Sequence, residues 1–92
     1  MQVPEKLKRK YIERRIQDIE QLMSSLESED FDPAVRIGHQ IKGNANTFDF
    51  PQMAPIAREI ETAGKNRDKQ TLKDLIEMMQ REVRLASVQY LH

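Results

Sequence analysis

His39, Lys42 and Gly43 are the residues of this chain whose types and spacing suit chemistry. They lie in the stretch His39-Gln40-Ile41-Lys42-Gly43, inside a segment whose apolar residues recur with helical spacing. At about 100° per residue, Ile37, Ile41 and Phe48 gather on one side of a helix there. His39 lies on the opposite side, with Val35, Lys42, Gly43 and Asn46 within roughly 60° of it. The imidazole is therefore expected to face water, with an ammonium three residues on and a glycine four residues on. A glycine inside a helix costs about 1 kcal/mol relative to Ala, and at this position it removes a side chain that would crowd the ring. A bare histidine beside a cation is suited to receive an anionic group. The same five residues also fit an ordinary surface histidine followed by a packing glycine or an early helix end. The surrounding residues decide between the two.

Those residues predict four amphipathic helices. Proline at a first helical position forfeits no helical hydrogen bond, so Pro4-Glu5 opens the first. Leu7, Tyr11, Ile12, Ile16, Ile19, Met23 and Leu26 then mark an apolar stripe over about residues 4–27. Its charges separate along the axis: Lys6, Lys8, Arg9, Lys10, Arg14 and Arg15 crowd the start, and only acids follow from Asp18 to Asp32. Asp32 as N-cap and Pro33 as first helical residue open the second helix, about 33–48, which carries His39. Phe31, just ahead of that cap, is placed to pack against Ile37. Asp49-Phe50-Pro51 interrupts the chain, because the residue before a proline avoids the helical region.

A third helix, from about 51 or 53 to 64, has Met53, Ile56, Ala57, Ile60 and Ala63 as its inner stripe. Pro55 fits only in a first turn, which favours the later start. Gly64 reads as a C-terminal cap before the polar loop Lys65-Asn66-Arg67. Asp68 caps the last helix, about 68–90, whose inner stripe is Leu72, Leu75, Ile76, Met79, Val83, Ala86 and Tyr90. Short connections between four such helices favour an all-α fold, an antiparallel up-and-down four-helix bundle. Residues 1–92 read as one domain without internal repeat or low-complexity tract, and His92 is assigned no role.

Composition agrees. A small domain of 92 residues buries about 60–65% of the surface its unfolded chain exposes. Hydrophobic content of 38% against 33% charge suits helices with wet outer faces, and five aromatics argue against a sheet protein. A net charge of zero gives no global attraction to nucleic acid or anionic membrane. The basic start of the first helix is interrupted by Glu5 and Glu13 and lacks an aromatic platform, so it reads as a solvated face before a nucleic-acid surface. The absence of cysteine excludes disulfides, thiolate catalysis and cysteine-ligated metals. No apolar run is long enough to span a bilayer and the N-terminus lacks signal-peptide character, so a soluble, cytoplasmic protein is expected.

From His39 to Glu61 the string His39-x-Ile41-Lys42-Gly43, continued by Ala45, Phe48, Met53, Ile56, Ala57, Ile60 and Glu61, resembles the histidine phosphotransfer (HPt) domain of bacterial two-component phosphorelays. The helical layout on either side extends the resemblance over most of the chain. Two positions depart from the family's pattern. Asn44 stands where a small Ser or Ala is usual, which either tightens a helix contact or adds a polar group near the core. Asp49 replaces a glycine at the turn between the central helices, a place where Asp tolerates unusual backbone angles better than most residues.

The resemblance implies a phosphocarrier. His39 would accept the phosphoryl group on Nε2, with aspartates of response-regulator receiver domains as donor and final acceptor. An exposed imidazole titrates near pH 6.5, so near neutrality much of it is uncharged and nucleophilic. Lys42 would offset charge on the phosphoryl oxygens, and Gly43 would leave room for the partner's loops. Glu61 comes from the neighbouring helix: it is either a plain surface carboxylate or the acceptor that holds Nδ1–H and fixes the tautomer. Lys65 stands where some relatives have a second cation, and a solvated lysine fits it too. Val35, Arg36, Gln40 and Asn46 are candidates for the docking surface, with Val35 as an exposed apolar residue rimmed by polar ones.

No Gly-rich phosphate loop or acidic Mg²⁺ cluster accompanies His39 in the sequence. Autonomous kinase activity and a bound cofactor are therefore not expected, Mg²⁺ would sit on the receiver, and the zero net charge leaves nucleic-acid and membrane binding unexpected as well. Partners would be receiver domains and a hybrid histidine kinase, with the chain as a monomer. The competing reading is a noncatalytic helical interaction module of the same shape.

Overall fold

In α-helices the apolar stripes can be buried only against one another, and the computed structural model, which describes residues 3–91, shows how. Met1, Gln2 and His92 lie outside the described residues. The helices are α1 (Glu5–Glu27), α2 (Asp32–Asn44), α3 (Met53–Lys65) and α4 (Lys69–Tyr90), with no strand among the described residues. Lys8 near the start of α1 reaches Tyr90 at the end of α4 and Asp49 beyond the end of α2, while Glu29 pairs with Lys69 at the opposite end. Neighbouring helices therefore run antiparallel and close a four-helix bundle. Ile12, Leu22, Ile37, Ile41, Met53, Ile60, Leu72 and Met79 fill its centre. Each such side chain contributes about 1.5–3 kcal/mol by leaving water.

The α1 stripe differs from expectation. Leu22 is fully buried, whereas Met23 and Leu7 are about half exposed. Residues 22 and 23 both satisfy a three-to-five spacing but point about 100° apart, so only packing chooses between them. Arg15 does not belong to the wet basic face. It is buried, with Nε 2.7 Å from Asp18 Oδ2 and its guanidinium carbon 4.4 Å from the centre of the Tyr11 ring.

The helix ends also correct the sequence. Asp32 is the first residue of α2 and not its side-chain cap; Asp30 Oδ1 instead accepts from the Asp32 amide. Regular helix in α2 stops at Asn44 and gives way to irregular turns as far as Asp49, across Asn44, Asn46 and Thr47, all weak helix formers. Asn44 Oδ1 accepts the Tyr11 hydroxyl at 2.6 Å, so this residue adds a polar tie from α2 to α1. Asp49 has φ 69°, the left-handed conformation a glycine would take freely, and its carboxylate accepts from Lys8 Nζ at 3.0 Å. Asp68 caps α4 as expected, accepting from the Thr71 amide.

Gly64 is not a cap. It lies inside α3, which ends through Asn66 and a left-handed Arg67 (φ 53°), because the Gly64 position is occupied by helix packing.

Candidate functional site

Small residues set how closely α2 and α3 approach. A Cβ on Gly64 would lie 3.0 Å from Ala34 Cβ and 3.1 Å from Val35 Cγ2. Near the middle of the same seam, a Cβ on Gly38 would lie 2.7 Å from the Glu61 amide nitrogen and 2.8 Å from the Ala57 carbonyl oxygen. At Gly38 the two backbones touch. Ile37 and Ile41 turn inward from α2 and Ile60 from α3, which leaves His39 on the outer side of α2 and Glu61 at its edge on α3.

The His39 side chain is 69% exposed, whereas the Glu61 side chain is 9% exposed. His39 Nδ1 lies 3.2 Å from Glu61 Oε2. Lys42 Nζ donates to Glu61 Oε1 at 2.7 Å, and Lys65 Nζ approaches Oε2 at 3.5 Å. One carboxylate thus gathers a ring and two ammonium groups. The hydrogen bond from Lys42 does most to hold the Glu61 carboxyl down at about 2; the charges of Lys42 and Lys65 and the His39 contact add to this, and desolvation opposes it. Glu61 is then ionised and can only accept, so the contact with the neutral ring is a hydrogen bond only when Nδ1 carries the proton. Nε2 is left with a lone pair.

The structure brings His39, Lys42, Glu61 and Lys65 together, and it leaves Arg36, Gln40 and Asn46 exposed on the surface of α2 and the turn after it. Val35 departs from expectation: it is only partly exposed, with Cγ2 tucked beside Gly64 on α3. Gly43 departs too. A Cβ there would meet nothing within 4 Å, so in this chain no ring is crowded by it and the space lies open to solvent. The glycine the sequence reading overlooked is Gly38, one residue before His39. A small residue beside the histidine, on the side between the wet and apolar faces, was the only available signal. Among the described residues no group of three or more His, Asp or Glu side chains is arranged to hold a metal ion, and no helix is long and apolar enough to cross a membrane.

A family model described as the Hpt domain matches residues 6–87. The match spans all four helices except the extreme ends of α1 and α4. Searches of the curated proteins and of the solved structures return no significant match.

Proposed function

Since the chain belongs to the Hpt domain family, a histidine phosphotransfer module of two-component signalling, we propose that it carries a phosphoryl group on His39 Nε2 and relays it between aspartates of receiver domains. The observation that carries this reading is an exposed imidazole whose Nδ1 is held by an ionised carboxylate, leaving Nε2 towards any visiting protein. In the transfer, the Nε2 lone pair attacks phosphorus of a receiver's aspartyl phosphate. The P–N bond forms, the P–O bond to the aspartate breaks, and the aspartate leaves as a carboxylate. The ring becomes positively charged, and its Nδ1–H stays on Glu61, which stabilises that charge without taking the proton. A second receiver reverses the steps.

Lys42 has a double part in this reading. One of its three donors holds Glu61, and the others turn to the phosphoryl oxygens. Lys65 adds positive charge beside the same carboxylate. Arg36, Gln40 and Asn46 form the polar rim of the docking surface, and the space above Gly43 takes the partner's loops. The Mg²⁺ that phosphoryl transfer uses sits with the receiver's aspartate, and the phosphoryl group originates from a two-component kinase.

Incubating the chain with phosphorylated receiver domains is expected to give an acid-labile, base-stable label, and His39→Gln is expected to abolish it. A label that persists in His39→Gln refutes the assignment. Failure to label with any receiver favours a noncatalytic interaction module.

A further inference from the structure

Two glycines lie five residues apart in α2, opposite in what surrounds them. A Cβ on Gly43 would meet open space, whereas a Cβ on Gly38 would meet the backbone of α3 at the Glu61 amide. We propose that Gly38 is a positioning residue for His39: by letting the α2 backbone rest on the α3 backbone, it sets the reach from Glu61 to the ring and so selects which ring nitrogen faces the partner. Its consequence for phosphotransfer rests on the reading of His39 as phosphoacceptor; its consequence for the ring does not.

The atoms that a methyl on Gly38 would meet belong to a helical backbone and cannot rotate aside. α3 as a unit must retreat by roughly 1 Å to restore ordinary van der Waals contact. The two bonds to Glu61 respond differently. The imidazole is rigid and close to its own backbone, so a Nδ1 to Oε2 separation already at 3.2 Å passes beyond hydrogen-bonding range. Lys42 sits on a flexible four-carbon stem and follows the carboxylate. Gly38→Ala therefore releases the ring while Glu61 keeps its lysine. A general loosening of the fold would release both.

The test is the side-chain ¹⁵N spectrum of His39 at a pH where the ring is neutral. The native chain is expected to show predominantly the Nδ1–H tautomer. Gly38→Ala and Glu61→Ala are both expected to relax it towards the mixture of a free imidazole, and the double variant to match Glu61→Ala alone. Gly43→Ala is expected to keep the native tautomer. Glu61 in Gly38→Ala is expected to titrate near its native value, read from its carboxyl ¹³C shift. Phosphotransfer from a phosphorylated receiver to Gly38→Ala is expected to slow by about tenfold to a hundredfold, the penalty of a reacting group misplaced by about an ångström.

A native tautomer in folded Gly38→Ala, or a further tautomer change from Gly38→Ala in the Glu61→Ala background, overturns the proposal. If Gly38→Ala does not fold, Gly64→Ala carries the test: its Cβ presses less closely on the same seam, at the Ala34 and Val35 side chains and the Val35 amide nitrogen, so a smaller shift in the same direction supports the proposal and an unchanged tautomer overturns it. A tautomer that responds in a chain that never accepts phosphate supports the positioning role and refutes the phosphocarrier reading alone.

Discussion

Asp18 on α1 and Glu61 on α3 are both nearly buried carboxylates, and each has a cationic nitrogen 2.7 Å away. They differ in where the second oxygen goes. Asp18 is held by Arg15, three residues earlier on the same helix and itself buried, and its other oxygen reaches Arg14, also on α1, at 3.5 Å. That group closes on a single helix. Glu61 binds across a seam: Lys42 and His39 belong to α2, and the ring it touches is the most solvent-open part of the group. The first arrangement can only add to or subtract from stability. The second connects a fixed interior charge to an exposed ring, the one proposed to meet other proteins, and burial of the carboxylate is what keeps that connection from being screened.

The largest expected separation between the two comes from Asp18→Ala. Removing one partner of a buried pair strands Arg15, so a loss of about 3–5 kcal/mol is expected in urea unfolding, with the native His39 tautomer retained. A changed tautomer would mean that the α1 pair also communicates with the site.

Lys42→Ala acts on the other carboxylate. It removes the main cause of the depressed Glu61 pKa, so the carboxyl should rise from about 2 towards its ordinary 4.5. Phosphotransfer should fall by about tenfold to a hundredfold, as when a partner one step behind the reacting group is removed. Circular dichroism should show native helicity, and lost helicity would make Lys42 a structural residue.

Acid gives a gentler version of the same test. A carboxyl whose folded pKa is lowered contributes stability that is fully present above about pH 4.5 and disappears as pH falls through about 2. The native chain and Lys42→Ala should therefore differ in stability near neutrality and converge towards pH 2. Parallel curves over that range would remove Glu61 from the acid response.

Gly43→Ala is the smallest change. It should stabilise the chain by about 0.5–1 kcal/mol through helix propensity. Slower transfer from a receiver in this more stable chain would place the glycine in the partner's path, and undiminished transfer would remove Gly43 from the site.

The amino-acid order alone specified the four helices, because a 3.6-residue apolar repeat can be satisfied in few ways over a dozen or more residues. It also specified the exposed histidine, since the inward course of Ile37 and Ile41 forces residue 39 outward. Asp68 as a cap and the late start forced by Pro55 were legible for the same reason: each is a local rule acting on adjacent residues. Contacts between helices were not legible. Whether Leu22 or Met23 faces the core, whether Gly64 ends a helix or admits Val35, and whether Glu61 is solvated or bound depend on the rotation and spacing of two helices. A periodic pattern leaves both undetermined to within one residue or about an ångström. Gly38 shows the limit most clearly: the backbone it rests against, at Ala57 and Glu61, lies far along the chain and meets it only once the two helices are in contact.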